Sequence, residues 1–318
     1  MSRLHVVAAA LLALLVALPG SLAGAEPPPR RTVALTFDDL PFTPPSDLET
    51  TRRATETLLQ VLTEHRAPAI GFVNEDKVQV PGEVDARIAL LERWLDAGAL
   101  LGNHTYSHSN LRDAPLQDYE DDVIHGEVVT RRLLARRGIS ALYFRYPFTN
   151  TGPTKEVKEA FEAFLRSRGY VNAPFTVEHA DYLYNALWLD ARSRGDAEGT
   201  QRIRQAYLEH LDRAFDFFEE LSRDTFGREI PQILLIHANG LNADCLGEML
   251  DRLAARGYAF ISMEEALRDP AYGTKDDYVG RNGPSWLHRW RVALGQPSRQ
   301  RDEPDPPGWA LQAYQQLR

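Results

Sequence analysis

The chain has 318 residues, 43% hydrophobic and 25% charged, with a formal net charge of −9 at pH 7. That balance is ordinary for a folded chain long enough to bury a full core, and it excludes disordered and collagen-like architectures. The acidic surplus argues against nucleic acid and anionic membrane surfaces as partners. Cys245 is the only cysteine, so internal disulfides and cysteine-based zinc modules are excluded, and any metal must be held by histidine and carboxylate.

Residues 1–25 read as an export signal. Arg3 precedes an apolar run over residues 6–18, Pro19 and Gly20 break it, and Ala23-Gly24-Ala25 offers a small-x-small cleavage pattern. The run is short of the roughly 20 residues that cross a bilayer. The expectation is export, with a periplasmic or secreted protein after cleavage near Ala25 and no membrane span in the mature chain. An uncleaved anchor is the other reading of this segment. Residues 26–30 form a stiff Pro-rich linker.

Short apolar runs then alternate with amphipathic segments. Strands are expected over residues 32–37, 69–73, 99–101, 141–146, 170–177, 233–236 and 258–261. Helices are expected over 48–66, 84–97, 118–137, 155–168, 201–223 and 246–256, several of them ended by glycine. Strand–helix alternation with short loops predicts a parallel sheet covered by helices, either barrel or open. The periodicity fades from residue 269 onward, leaving an extension over 269–318 of unassigned role.

Parallel α/β folds gather chemistry at the C-terminal ends of strands. Five expected strand ends carry ionisable side chains: Asp38-Asp39, His104 with His108, Arg145, Asp181, and His237. Each is weak alone, and together they predict a mononuclear metal hydrolase. His104 and His108 can aim two imidazoles at one ion, with a carboxylate as third ligand and positions left for water and substrate. Zinc suits that set, and cobalt or nickel would also bind. Neighbouring Asp side chains diverge, so one can ligate while the other acts as base. Arg145 can keep the base ionised, and His237 is the candidate acid, oriented by Asp181.

These residues resemble the NodB-type polysaccharide deacetylases, a family of carbohydrate esterases. Thr36-Phe37-Asp38-Asp39 is similar to its first motif and Gly102-Asn103-His104-Thr105-Tyr106-Ser107-His108 to its second. Arg145-Tyr146-Pro147-Phe148, Asp181-Tyr182 and Leu235-Ile236-His237 resemble the remaining three. The resemblance spans about residues 31–268. It implies a distorted seven-stranded (β/α) barrel, here with an added helix and the C-terminal extension. It further implies a metal on Asp39, His104 and His108, Asp38 as base oriented by Arg145, and His237 as acid oriented by Asp181. Phe148, through its backbone N–H, would help hold the oxyanion, and Leu235 would line a methyl pocket, with Tyr182 and Pro147 also facing substrate.

The implied reaction is hydrolysis of N- or O-acetyl groups on a polysaccharide such as peptidoglycan, a chitin-like polymer or xylan. The alternative is a C–N hydrolase of a small amide or imide on the same fold and metal, favoured if the added helix and tail close the pocket. A binding module without catalysis is a third reading, opposed by the intact Asp38 and His237. Three positions depart from the family pattern: Leu40 and Thr149 stand where glycine is usual, and Tyr182 where tryptophan is usual.

Overall fold

The computed structural model describes residues 31–280 and 283–317; the expected signal and linker lie outside the described residues. In chain order the elements are β1 (Arg31–Leu40), α1 (Leu48–Glu64), β2 (Ala69–Val73), α2 (Val84–Asp96), β3 (Leu100–Asn103), α3 (Leu116–His125), α4 (Val128–Arg136), β4 (Leu142–Phe144) and α5 (Lys155–Ser167). They continue with β5 (Tyr170–Asn172), α6 (Asp181–Ser193), α7 (Ala197–Phe226), β6 (Gln232–His237), α8 (Gly240–Ala255), β7 (Tyr258–Phe260), α9 (Met263–Ala266), α10 (Trp286–Ala293) and α11 (Gly308–Leu317).

The seven described strands form one parallel sheet in the order β5-β4-β3-β2-β1-β6, and β7 pairs with the start of β1. β1 is the axis of this sheet. Val33, Ala34, Leu35 and Phe37 are each essentially sealed from solvent, as a strand covered on both faces demands. The segment after β5 rejoins the sheet through an isolated parallel bridge between Val177 and Leu234. The strand expected over 170–177 therefore splits, because Pro174 interrupts it: proline has no N–H for a ladder. The result is consistent with the distorted α/β barrel that the resemblance implies, the segment after β5 meeting β6 only through that isolated bridge.

Two further expectations are corrected. Residues 118–137 form two helices, not one. The break falls at Gly126, where a Cβ would strike the backbone of Thr105 and Tyr106. The buried Glu75 carboxylate then starts α4 afresh by accepting from Val129 N (2.9 Å) and Thr130 N (2.7 Å). The long helix expected over 201–223 is α7, running from Ala197 to Phe226, and a second helix, α6, begins directly at Asp181.

The extension packs onto the same body. Trp286, Leu287 and Trp290 of α10 and Ala310 of α11 are buried in the main core. Arg202 of α7 stacks on Trp309 at 3.9 Å. No helix among the described residues is long and apolar enough to cross a membrane.

Candidate active site

Parallel register brings the candidate residues to one edge. Asp38 of β1 is the direct partner of His237 at the end of β6, and Asn103 of β3 is the partner of Phe144 in β4. The β1–β2 register shifts between Phe37 and Leu40, and Asp39 adopts φ 71° at that irregularity. At this irregularity both Asp38 and Asp39 reach the same cleft, each with a carboxylate oxygen 3.9 Å from His104 Nε2.

Asp39, His104 and His108 offer ligand atoms that all lie within 4.8 Å of one another. Asp39 Oδ1 is 3.4 Å from His108 Nε2 and 3.9 Å from His104 Nε2. Ligand atoms about 2 Å from a common divalent ion would have such separations. His104 Nδ1 donates to the Arg145 carbonyl (2.8 Å), which leaves Nε2 as the free lone pair facing Asp39. Asp39 Oδ1 is buried and meets no donor in hydrogen-bond geometry. Burial holds both imidazoles below their ordinary pKa, hence neutral and able to ligate. Burial opposes ionisation of Asp39, but Lys77 and the neighbouring histidines override it and hold the carboxyl well below the usual range. These donors fit a divalent cation.

Asp38 stands beside this trio, with Arg145 Nη1 donating to its Oδ2 at 3.4 Å. Arg145 is wholly buried, and its guanidinium also donates to Ala173 O (2.7 Å) and Thr36 Oγ1 (3.1 Å). Burial raises the Asp38 carboxyl to about 6, against the opposing pull of Arg145 and His237. Across the site, His237 Nδ1 donates to Asp181 Oδ1 (2.7 Å). Asp181 Oδ2 accepts from Asn239 Nδ2 (3.1 Å) and Asn242 Nδ2 (2.7 Å). Burial disfavours the imidazolium, yet Asp181 outweighs it and lifts His237 to about 10.

These side chains line a cleft of about 740 Å³ together with Phe148, Leu235 and Tyr182. Pro147, expected to face substrate, is instead buried and does not line the cleft; it opens the tight turn that presents Phe148. Sequence reasoning missed several neighbours. Lys77 Nζ lies 3.2 Å from Asp39 Oδ1, delivered by a turn after β2 that no local spacing announces. Glu178 lines the cleft, and burial raises its carboxyl to about 7. Tyr314 and Gly283 of the extension also line it.

Residues 25–163 match the family described as polysaccharide deacetylase. Asp38, Asp39, His104, His108 and Arg145 lie inside that stretch, and Asp181 and His237 beyond it. The chain is 33% identical over 116 residues to a peptidoglycan-N-acetylglucosamine deacetylase of Bacillus cereus, covering 36% of each protein. It is 32% identical over 116 residues to a chitin deacetylase of Colletotrichum lindemuthianum, covering 36% of this chain and 41% of that one. The matches thus span about two fifths of the length of these curated relatives. Among solved structures, the fold is similar to a CE4 family pseudoenzyme from Bacillus anthracis, with TM-score 0.50 and 18% identity over 76% of this chain and 66% of that one. It is equally similar to a mutant of that pseudoenzyme with restored enzymatic activity, at TM-score 0.50 and 19% identity over 76% of this chain and 68% of the mutant. The α/β fold thus carries a two-histidine, one-carboxylate cluster at its strand ends whose geometry fits a divalent cation. Over residues 25–163 the chain is similar to the polysaccharide deacetylases, and the comparisons support a NodB-type family for it.

Proposed function

We propose that the protein is an exported, metal-dependent deacetylase that removes N- or O-acetyl groups from a polysaccharide. The observation that carries the reading is the convergence of three units on one strand-end cleft: the Asp39–His104–His108 cluster, the Asp38–Arg145 pair and the Asp181–His237 pair. Zinc, or cobalt or nickel in its place, would be held by Asp39, His104 and His108; it would polarise the acetyl carbonyl and acidify the attacking water.

Asp38 would take the proton of that water, with Arg145 keeping the carboxylate oriented and charged. His237, kept protonated by Asp181, would then hand a proton to the departing amine or hydroxyl as the acetyl bond breaks. The Phe148 N–H would face the developing oxyanion. Leu235, in the cleft wall, suits the acetyl methyl. Residues 31–268 would form the catalytic domain, with 269–318 as its extension, and cleavage near Ala25 would release the protein into the periplasm or medium.

One observation favours a second reading. Tyr182 at the start of α6 and Tyr314 of α11 in the C-terminal extension both line the cleft, with ring centroids 6.1 Å apart. A cleft walled in this way suits short substrates, which keeps a small amide or imide in view. Acetate release from acetylated chitin oligomers, peptidoglycan and acetylated xylan, each with zinc and with chelator, tests the proposal. Metal-dependent release from any of them supports it. Absence of release from all three, by protein holding one equivalent of zinc, would favour the small-amide reading.

A further inference from the structure

The loop after β4 carries Phe148 and Thr149, two consecutive non-glycine residues in the left-handed region, with φ 54° and 52°. A β-branched threonine is strongly disfavoured there and persists only where its surroundings over-determine it. The family pattern puts glycine at position 149, which would need no such support.

The support comes from the C-terminal extension. Arg289 Nη2 donates to Thr149 O (2.7 Å), and the Thr149 hydroxyl donates to Gly283 O (2.5 Å). A Cβ at position 283 would strike Thr149 Oγ1 and Phe148 O, so only glycine allows this approach. The Thr151 hydroxyl donates to Tyr278 O (3.3 Å). Arg289 is itself locked: it is buried, stacked 3.7 Å over Trp286, paired with Asp276 Oδ2 at 3.3 Å, and donates from Nε to Pro284 O (2.9 Å). Lys158 of α5 ties Asp276 down in turn at 2.7 Å. The clamped loop faces the site directly, since the Phe148 ring packs edge-on against His108 at 4.5 Å.

We propose that Arg289, with Gly283 and Asp276, clamps the Phe148–Thr149 turn in its left-handed conformation, and that Arg289 is therefore a positioning residue for the active-site loop. The extension thereby supplies the constraint that threonine at position 149 requires. The catalytic part of this inference rests on the proposed deacetylase reading; the clamp itself does not.

Two readouts separate them. Amide hydrogen exchange over residues 148–151 reports the clamp in protein of any activity: Arg289→Gln should expose these amides to faster exchange while the sheet amides stay protected. Acetate release reports the consequence. Arg289→Gln should lower kcat about 100-fold with little change in KM, as a mispositioned loop does, while the protein still binds one equivalent of zinc. Adding Thr149→Gly should restore most of kcat, because glycine holds the same φ without help; Thr149→Gly alone should be near wild type. Should Arg289→Gln not accumulate as folded protein, Arg289→Lys, which keeps the charge beside Asp276 and loses the planar fork, is read in the same way. Unchanged exchange over 148–151 in a folded variant would overturn the clamp. Faster exchange with unchanged kcat, or a loss that Thr149→Gly does not repair, would overturn the positioning role.

Discussion

Asp181 grips His237 twice, one carboxylate oxygen accepting from the ring Nδ1 at 2.7 Å and the other from the backbone N–H of the same residue at 2.8 Å. The ring cannot rotate without breaking the pair, and its Nε2 is left directed to the cleft. In Asp181→Asn the charge that sustains the imidazolium is gone, while the burial that opposes it remains. The His237 pKa should drop from about 10 towards its ordinary 6.5 or below. The alkaline limb of kcat should move to lower pH, with kcat near neutrality falling about 100- to 1,000-fold. Because the folded pKa is raised, His237 contributes stability below pH 6.5 that fades as the pH rises towards 10, and the variant should lose that slope. Histidine NMR titration of metal-free protein, alongside the pH–rate profile, checks both.

Metal binding should be visible as stability. A ligand at one hundred times its Kd adds about 2.7 kcal/mol to the folded state, worth a Tm rise of about 5 °C or more in a chain of this size. Zinc should give that shift in the wild type and none in His104→Ala or Asp39→Asn. Lys77→Met should give a larger one, because an ammonium 3.2 Å from a ligand oxygen repels a dication. Differential scanning calorimetry with and without zinc decides this, and a smaller shift in Lys77→Met would contradict the electrostatic argument.

Glu178 gives stability a pH dependence of known sign. Its carboxyl is raised from 4.5 to about 7, chiefly by burial. The folded protein therefore holds a proton that the unfolded chain releases, so the contribution is complete below pH 4.5 and is lost as the pH rises through 7. Glu178→Gln should match the wild type near pH 4.5 and be more stable at pH 8 by on the order of 1–2 kcal/mol. Urea unfolding at both pH values measures the difference.

The start of α4 depends on a carboxylate far away in sequence. Glu75→Ala would leave the Val129 and Thr130 N–H groups buried without partners, a loss of about 2–4 kcal/mol for two unsatisfied donors. Glu75→Gln, which keeps one acceptor, should cost less. Chemical denaturation of the two variants is the check.

That the candidate residues would meet was legible in the sequence because each sits at a strand end, and parallel strands must deliver such ends to one edge. Asp38 beside His237 follows from register alone. What escaped depends on contacts between distant segments. The α3–α4 break is set by Gly126 against the 105–106 backbone, so the local 3.6-residue pattern runs through it unbroken. Lys77 reaches Asp39 across the β1–β2 crossover, and a lone lysine in a turn carries no periodic signal. Pro147 was misjudged because a motif names a neighbourhood without saying which of its side chains turn inward. The extension binds its loop largely through backbone carbonyls, Thr149 O and Gly283 O among them, and carbonyls leave no trace in residue identity.

The most direct test of the account is acetate release from an acetylated oligosaccharide by protein loaded with one equivalent of zinc, comparing the wild type with Asp38→Asn. Release should stop on chelation, return with zinc, and be abolished in Asp38→Asn although that variant still binds the metal. Release at the wild-type rate by Asp38→Asn, or release that survives chelation, would contradict it.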